Sequence, residues 1–207
     1  WYRAPGLSGP WTFVPSTALP PDFSRIPRNA PAGVVLASIA GTPQAQEALI
    51  ANSIPQTATV PLTKGPKFTP VLDGAPQFQP IDGTPLRYVA NSSVPIIAVG
   101  PQAFYAVQAG IWFTAPALTG PWLVANSVPP VIYEIPASSP LHYVTYVYVY
   151  GADSQVAYVG YTPGYLGTVV APDGVVVYGT GYAYTPWIGS VWYAAPYTWG
   201  LAAAPIY

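Results

Sequence analysis

One histidine, seven carboxylates and no cysteine bound the chemistry open to this chain. A Ser–His–Asp relay would have to run through His142, inside the strand-like stretch LHYVTYV, and no nucleophile-elbow pattern accompanies it. A histidine so placed reads as a strand residue satisfied by a polar neighbour. There is no His/Cys cluster to hold a metal, and no cofactor is implied. Paired carboxylates for glycoside hydrolysis fare little better. Asp73, Asp82 and Asp173 each precede a glycine in a turn, Asp153 sits in another turn, and Glu47 lies on a predicted helix. That leaves Asp22 and Glu134, which nothing in the spacing brings together. Arg25 and Glu134 occupy equivalent repeat positions with opposite charge, and an ion pair between them is expected, within a chain or between chains. These residues point away from an enzyme.

Aromatic residues are the stronger signal, because Tyr and Trp stack on sugar rings and also dominate protein interfaces. The stretch TPWIGSVWY and the residues after it make Trp187, Trp192, Tyr193, Tyr197 and Trp199 a candidate glycan-binding surface. The tryptophans of the repeats, Trp1, Trp11, Trp112 and Trp122, read instead as staples holding their turns to the core. Asn91-Ser92-Ser93 matches a glycosylation sequon.

The composition narrows the setting. Apolar residues make up 51% of the 207 and charged residues 6%, against roughly 25% charged in an average domain. A net charge of -1 gives no attraction to nucleic acid or anionic membrane. All six Lys and Arg residues lie at or before Arg87; beyond it the ionised groups are Glu134, Asp153 and Asp173. Such a surface offers little repulsion between copies and no trypsin site over its second half, which suits an extracellular or envelope protein that packs against itself. No apolar run is long enough for a spanning helix. The lack of methionine, together with a start inside a motif, implies processing from a longer precursor.

The elements that position these residues are organised by a repeat. WYRAPGLSGPW (1–11) returns as WFTAPALTGPW (112–122), PPDFSRIPRNAP (20–31) as PPVIYEIPASSP (129–140), and WYAAP begins a partial third copy at Trp192. Each copy reads as a β-hairpin around a Pro/Gly turn. VPIIAV (94–99) and AFYAVQ (103–108) precede the second hairpin, so a full unit holds about four antiparallel strands. The predicted fold is all-β, built from repeated antiparallel hairpins or four-stranded units in a propeller-like or sandwich-like arrangement. One short helix is expected near 43–52, capped by Thr42. YVTYVYVY (143–150) alternates as a strand. The expected segments are 1–87, a partial repeat with helix and connector; 88–140, the second repeat; and 141–207, a Tyr/Val-rich β region. The first copy lacks the two leading strands, which makes Trp1, Tyr2, Arg3 and Ala4 a candidate assembly edge, with VVVYGTGYAY (175–184) its candidate donor or neighbour.

GIWFTAPALTGPWLVANSVPPVIYEIPASSPLHYVTYVYVYG (110–151) and VAYVGYTPGYLGTVVAPDGVVVYGTGYAYTPWIGSVWY (156–193) resemble a family of uncharacterised bacterial envelope proteins. Some members carry the label carbohydrate-binding family V/XII. The resemblance also takes in GTPQAQEALIANSIPQTATV (41–60) and DGAPQFQPIDGTPLRYVANSSVPII (73–97). A cysteine usual in that family near 105–107 is Ala106 here. The resemblance implies a secreted or envelope location and defines neither an activity nor binding residues. The reading from sequence is a non-enzymatic, self-associating structural protein (homo-oligomer or filament), with glycan binding as the alternative and polysaccharide as the other possible partner.

Overall fold

Short runs of β-branched and aromatic residues between Gly-Pro and Asp-Gly turns fold into short antiparallel strands. A computed structural model describes residues 1–177. In chain order the strands are β1 (Tyr2–Arg3), β2 (Thr12–Phe13), β3 (Gln56–Pro61), β4 (Phe78–Pro80), β5 (Arg87–Val89), β6 (Ile96–Gly100) and β7 (Ala103–Gln108). Next come β8 (Ile111–Ala115), β9 (Leu123–Val124), β10 (Val147–Ala152), β11 (Val156–Tyr161), β12 (Val169–Val170) and β13 (Val176–Val177). Among the described residues the fold is all-β with one short α-helix, α1 (Pro43–Ser53), close to its expected limits. The Thr42 hydroxyl accepts the Ala45 N–H at 3.1 Å as N-cap, and Pro43 takes the first turn, where no N–H is needed.

The described residues form two compact units, Pro55–Gly167 and Trp1–Ile54 with 168–177. These limits reflect packing rather than the repeat phrases, and the expected boundary at 87/88 falls inside β5.

In the unit Pro55–Gly167, β4 to β9 form a six-stranded antiparallel meander, and β10, β11 and β3 a second sheet in that order. The four strands expected from the second repeat are present as β6 to β9, with β4 and β5 added at the edge. β8 is covered on both faces: Ile111, Trp112, Phe113 and Ala115 are all buried, which explains its continuous apolar run. The Trp112 indole N–H donates to the Val147 carbonyl at 2.8 Å and ties β8 to β10.

The stretch 143–150 is not one strand. His142–Tyr146 forms a 3-10 helix, and only from Val147 does the chain extend. Local polar bonds win over the alternating pattern here: the Ser139 hydroxyl accepts the Leu141 N–H at 3.2 Å, and the Thr145 hydroxyl donates to the His142 carbonyl at 2.7 Å. Tyr146 therefore leaves the row of Tyr148 and Tyr150, and its ring lies against Gly164 in the 3-10 helix Pro163–Leu166.

In the other unit, β1 and β2 form a hairpin, 3-10 helices occupy Pro21–Arg25 and Pro31–Ser38, and α1 packs on the latter. Ala37, Ala48 and Val176 meet at its centre, with Leu49 against them. The hairpin β12–β13 completes this unit.

The two hairpins of the sequence repeat share one register. Tyr2 faces Phe13 and Arg3 faces Thr12; Phe113 faces Val124 and Thr114 faces Leu123. Both turns contain a cis Gly–Pro bond. Gly9 and Gly120 take φ of 84° and 87°, and a Cβ on either would crowd the following tryptophan. Downstream, Pro21–Arg25 and Pro130–Glu134 are matching 3-10 helices, each behind a proline N-cap. The bond from the Trp112 indole to Val147 also has its partner: the Trp1 indole donates to the Ser38 carbonyl at 2.6 Å. Counting from the paired prolines, Ser38 and Val147 are equivalent positions.

Gly164→Ala would drive a methyl group into the Tyr146 ring and is expected to cost about 1–3 kcal/mol as overpacking. Gly151→Ala, with open space around it, should stay within about 0.5 kcal/mol of the parent. Urea denaturation midpoints of the two variants check this.

Candidate functional site

The hairpin β1–β2 is the most exposed apolar feature of the described residues. Tyr2 is 66% exposed, Leu7 95%, Trp11 55% and Phe13 66%. Tyr2 and Phe13 touch edge to face at 5.9 Å between ring centres. Beneath them the hairpin is held firmly, because the Trp1 indole is anchored on Ser38 and its ring packs at 5.4 Å against Phe23.

The equivalent hairpin in the unit Pro55–Gly167 has cover on its edge and on its face. At the edge β7 pairs along β8, with Ala106 opposite Phe113 and Val107 opposite Trp112. On the face, the Phe68 ring stacks on Phe113 at 5.0 Å and meets Trp122 edge to face at 4.9 Å. Phe113 is 1% exposed as a result. Among the described residues no strand pairs with the outer edge of β1. Of the expected edge Trp1, Tyr2, Arg3 and Ala4, Tyr2 and Arg3 form β1 and pair with their own hairpin neighbour β2. The expected donor 175–184 is described only as far as Val177, and there β13 pairs with β12. Leu7, Trp11 and Phe13 are missed by reading the edge alone. The signal that finds them is the repeat alignment, which sets Trp11 against Trp122 and Phe13 against Val124.

A cavity of about 530 Å³ adjoins the hairpin within the same unit, lined by Trp1, Phe13, Val14, Val35, Asp173 and Val176 among others. Its walls are mainly apolar, with Asp173 the one charged group. Asp173 Oδ2 accepts the Ser16 N–H at 2.9 Å and the Ser16 hydroxyl at 2.7 Å, fastening β12–β13 to the chain just after β2. The Ser16 hydroxyl bond, together with backbone N–H bonds, holds the Asp173 carboxyl below its ordinary range.

The remaining sequence candidates fall apart in space or lie elsewhere. His142 is in the 3-10 helix rather than a strand; its Nδ1 sits 2.7 Å from the Ile135 carbonyl, so this nitrogen carries the proton. Nε2 faces the Tyr146 hydroxyl at 3.5 Å, which leaves both ring nitrogens in structural contacts. Arg25 pairs with Asp22 at 3.1 Å on the same 3-10 helix, both well exposed, and Glu134 is exposed at the end of its own. The Asn91 side chain donates to the Asp73 and Ala75 carbonyls at 2.6 and 2.8 Å and accepts the Gln77 N–H, so the sequon amide is already committed. Among the described residues no three His, Cys, Asp or Glu side chains converge as metal ligands. Trp187, Trp192, Tyr193, Tyr197 and Trp199 lie outside the described residues.

A row of tyrosines stacks in the unit Pro55–Gly167: Tyr133 on Tyr148 at 5.7 Å and 9°, and Tyr148 on Tyr150 at 5.7 Å and 27°. Burial pushes the Tyr133 phenol up to about 12 and raises Tyr148 and Tyr150 as well. Tyr148 and Tyr150 are predictable from alternation; Tyr133 reaches them from a separate 3-10 helix and carries no periodic signal.

Family models, curated proteins and solved structures give no match to this chain. No helix among the described residues is long and apolar enough to cross a membrane.

Two of these groups should make stability depend on pH. Asp173 has a folded pKa below its ordinary 3.8, so its contribution to stability is present above that value and is lost as pH falls through the folded one. Asp173→Ala is expected to cost roughly 1–3 kcal/mol at neutral pH and to flatten acid unfolding below 3.8, measured by denaturant titration at several pH values. Tyr133 is the opposite case: its raised pKa favours the fold below pH 10.0, and that stability is lost as pH rises towards about 12. Tyr133→Phe should move the alkaline transition upward, seen by comparing phenolate absorbance with circular dichroism.

Proposed function

We propose that this chain is a non-enzymatic structural protein of the cell exterior or envelope that self-associates through the hairpin β1–β2. The carrying observation is the contrast between two hairpins of one register. β8–β9 has its face covered by Phe68, while β1–β2 leaves Tyr2, Leu7, Trp11 and Phe13 exposed among the described residues. An exposed cluster of large apolar and aromatic side chains is a surface on which protein chains pack. The low charge supports the same reading, since 6% charged residues provide little repulsion between copies. The location rests on the resemblance to envelope proteins and on the absence of Lys or Arg after Arg87.

The glycan alternative has less support. Its named residues lie outside the described ones, and Tyr133, Tyr148 and Tyr150 stack face to face instead of laying coplanar faces towards solvent.

Sedimentation velocity over a concentration series tests the proposal. Trp11→Lys places a charge in the exposed face without touching the Trp1 anchor and is expected to weaken association by roughly tenfold or more. Leu123→Lys, an exposed change on the covered hairpin, should leave it unchanged. A parent protein that sediments as a monomer at every concentration, or equal effects from both variants, would sink the proposal.

A further inference from the structure

We infer that Tyr148 and Tyr150 are a modification site, where a peroxide-driven one-electron oxidant of the haem-peroxidase class joins the two rings as an intrachain dityrosine. The site lies within the unit Pro55–Gly167 and does not depend on self-association.

The chain holds 17 tyrosines and no cysteine, so phenols rather than thiols are its route to an oxidative crosslink. Among the described residues three tyrosines are largely exposed: Tyr2, Tyr150 and Tyr158. The ring beside Tyr2 is Phe13, which has no hydroxyl to oxidise, and Tyr158 faces Gly151 across the ladder. Tyr150, 53% exposed, stacks instead on a second phenol, Tyr148, with ring centres 5.7 Å apart.

The strand turns the two rings towards each other. Tyr148 and Tyr150 stand two residues apart on β10 and so share a face. The register irregularity leaves Tyr150 outside the ladder, which frees it from regular strand geometry. Gly160 stands directly across from Tyr148, and a Cβ on it would lie 2.8 Å from Tyr150 Cε2. The Tyr150 ring thus leans back to the level of Tyr148, over space that only a glycine leaves. Cε2 is one of the two carbons ortho to the hydroxyl, where phenols couple.

Proton routes choose this pair within the stack. Tyr133 lies as close to Tyr148, at 5.7 Å, but its hydroxyl donates to the Val147 carbonyl at 3.2 Å, and a neutral amide oxygen cannot carry the proton away. Exposed Tyr150 loses its proton to water. In the coupling, Tyr148 and Tyr150 each give one electron to the oxidant and one hydroxyl proton to solvent, leaving two phenoxyl radicals. A Cε of one bonds to a Cε of the other, and the hydrogen on each bonded carbon returns to oxygen, restoring both rings. Two hydrogens are lost in all, and one hydrogen peroxide is reduced to two waters.

The full chain, kept dilute and treated with a haem peroxidase and hydrogen peroxide, tests this. Cleavage after Glu134 and before Asp153 gives a peptide, 135–152, that holds Tyr148 and Tyr150 but not Tyr133. This peptide is expected to lose the mass of two hydrogens and to gain dityrosine fluorescence. Tyr148→Phe and Tyr150→Phe should each abolish both signals, and Tyr133→Phe should leave them, with circular dichroism confirming the parent fold. Survival of the signals in either of the first two variants overturns the site. So does a main product that joins two peptides across Glu134, which is a Tyr133 link, or one that joins two chains. Absence of dityrosine, or an equal yield of the same link in urea, also overturns it, because the fold then does not set the pair.

Discussion

The structure depends on an indole N–H reaching a backbone carbonyl across two elements. Trp112 is buried to 1% exposure, and its N–H must find an acceptor or cost the fold its desolvation. It finds the Val147 carbonyl, at the point where the 3-10 helix His142–Tyr146 opens into β10. The Tyr133 hydroxyl donates to the same oxygen at 3.2 Å and uses its second lone pair. One carbonyl thus fixes β8, β10 and the 3-10 helix Pro130–Glu134 together. Trp1 makes the same bond to Ser38 in its own unit, where Ser24 stands at the position of Tyr133. The simpler anchor holds the hairpin through Trp1 alone.

Strand edges are blunted mainly by backbone devices. In Pro55–Gly167, the edge strands β3 and β4 both end on proline, which donates no hydrogen bond, and β9 is only two residues long. β10 carries an irregular register between Val149 and Gly151, which leaves Tyr150 outside the ladder. These devices blunt edges without using charge, in a chain that has little. β1, like β9, is only two residues long, and it carries the charged Arg3.

The part of this fold legible in the sequence was local. The Thr42 cap, the proline beside it and the Ala/Leu content identify α1, and the Pro/Gly turns identify both hairpins. The illegible part depended on partners far along the chain. The Asp173–Ser16 bonds join residues 157 apart, and nothing in PDG marks the aspartate as more than a turn residue. Phe68 lies in KGPKFTP, a polar, proline-bounded stretch without periodicity, yet its ring covers the second hairpin. The break before Val147 was hidden for another reason. Alternation describes side-chain faces and is blind to Ser139 and Thr145 hydroxyls that offer the backbone a tighter turn.

The substitutions between the two hairpins fit their different exposure. Where the covered copy has Phe113, the open copy has Tyr2; where it has Thr114 and Val124, the open copy has Arg3 and Phe13. The buried copy carries an all-carbon ring at Phe113, and the exposed copy replaces it with Tyr2, whose hydroxyl can face water. Tyr, Trp and Arg combine large flat area with a polar tip, so they tolerate solvent when alone and gain when covered; they are enriched where proteins meet. The Trp1 anchor supplies rigidity beneath them, which reduces the ordering cost of any partner that binds. The hairpin β1–β2 thus combines a fixed base with exposed rings that are flat, apolar and polar-tipped.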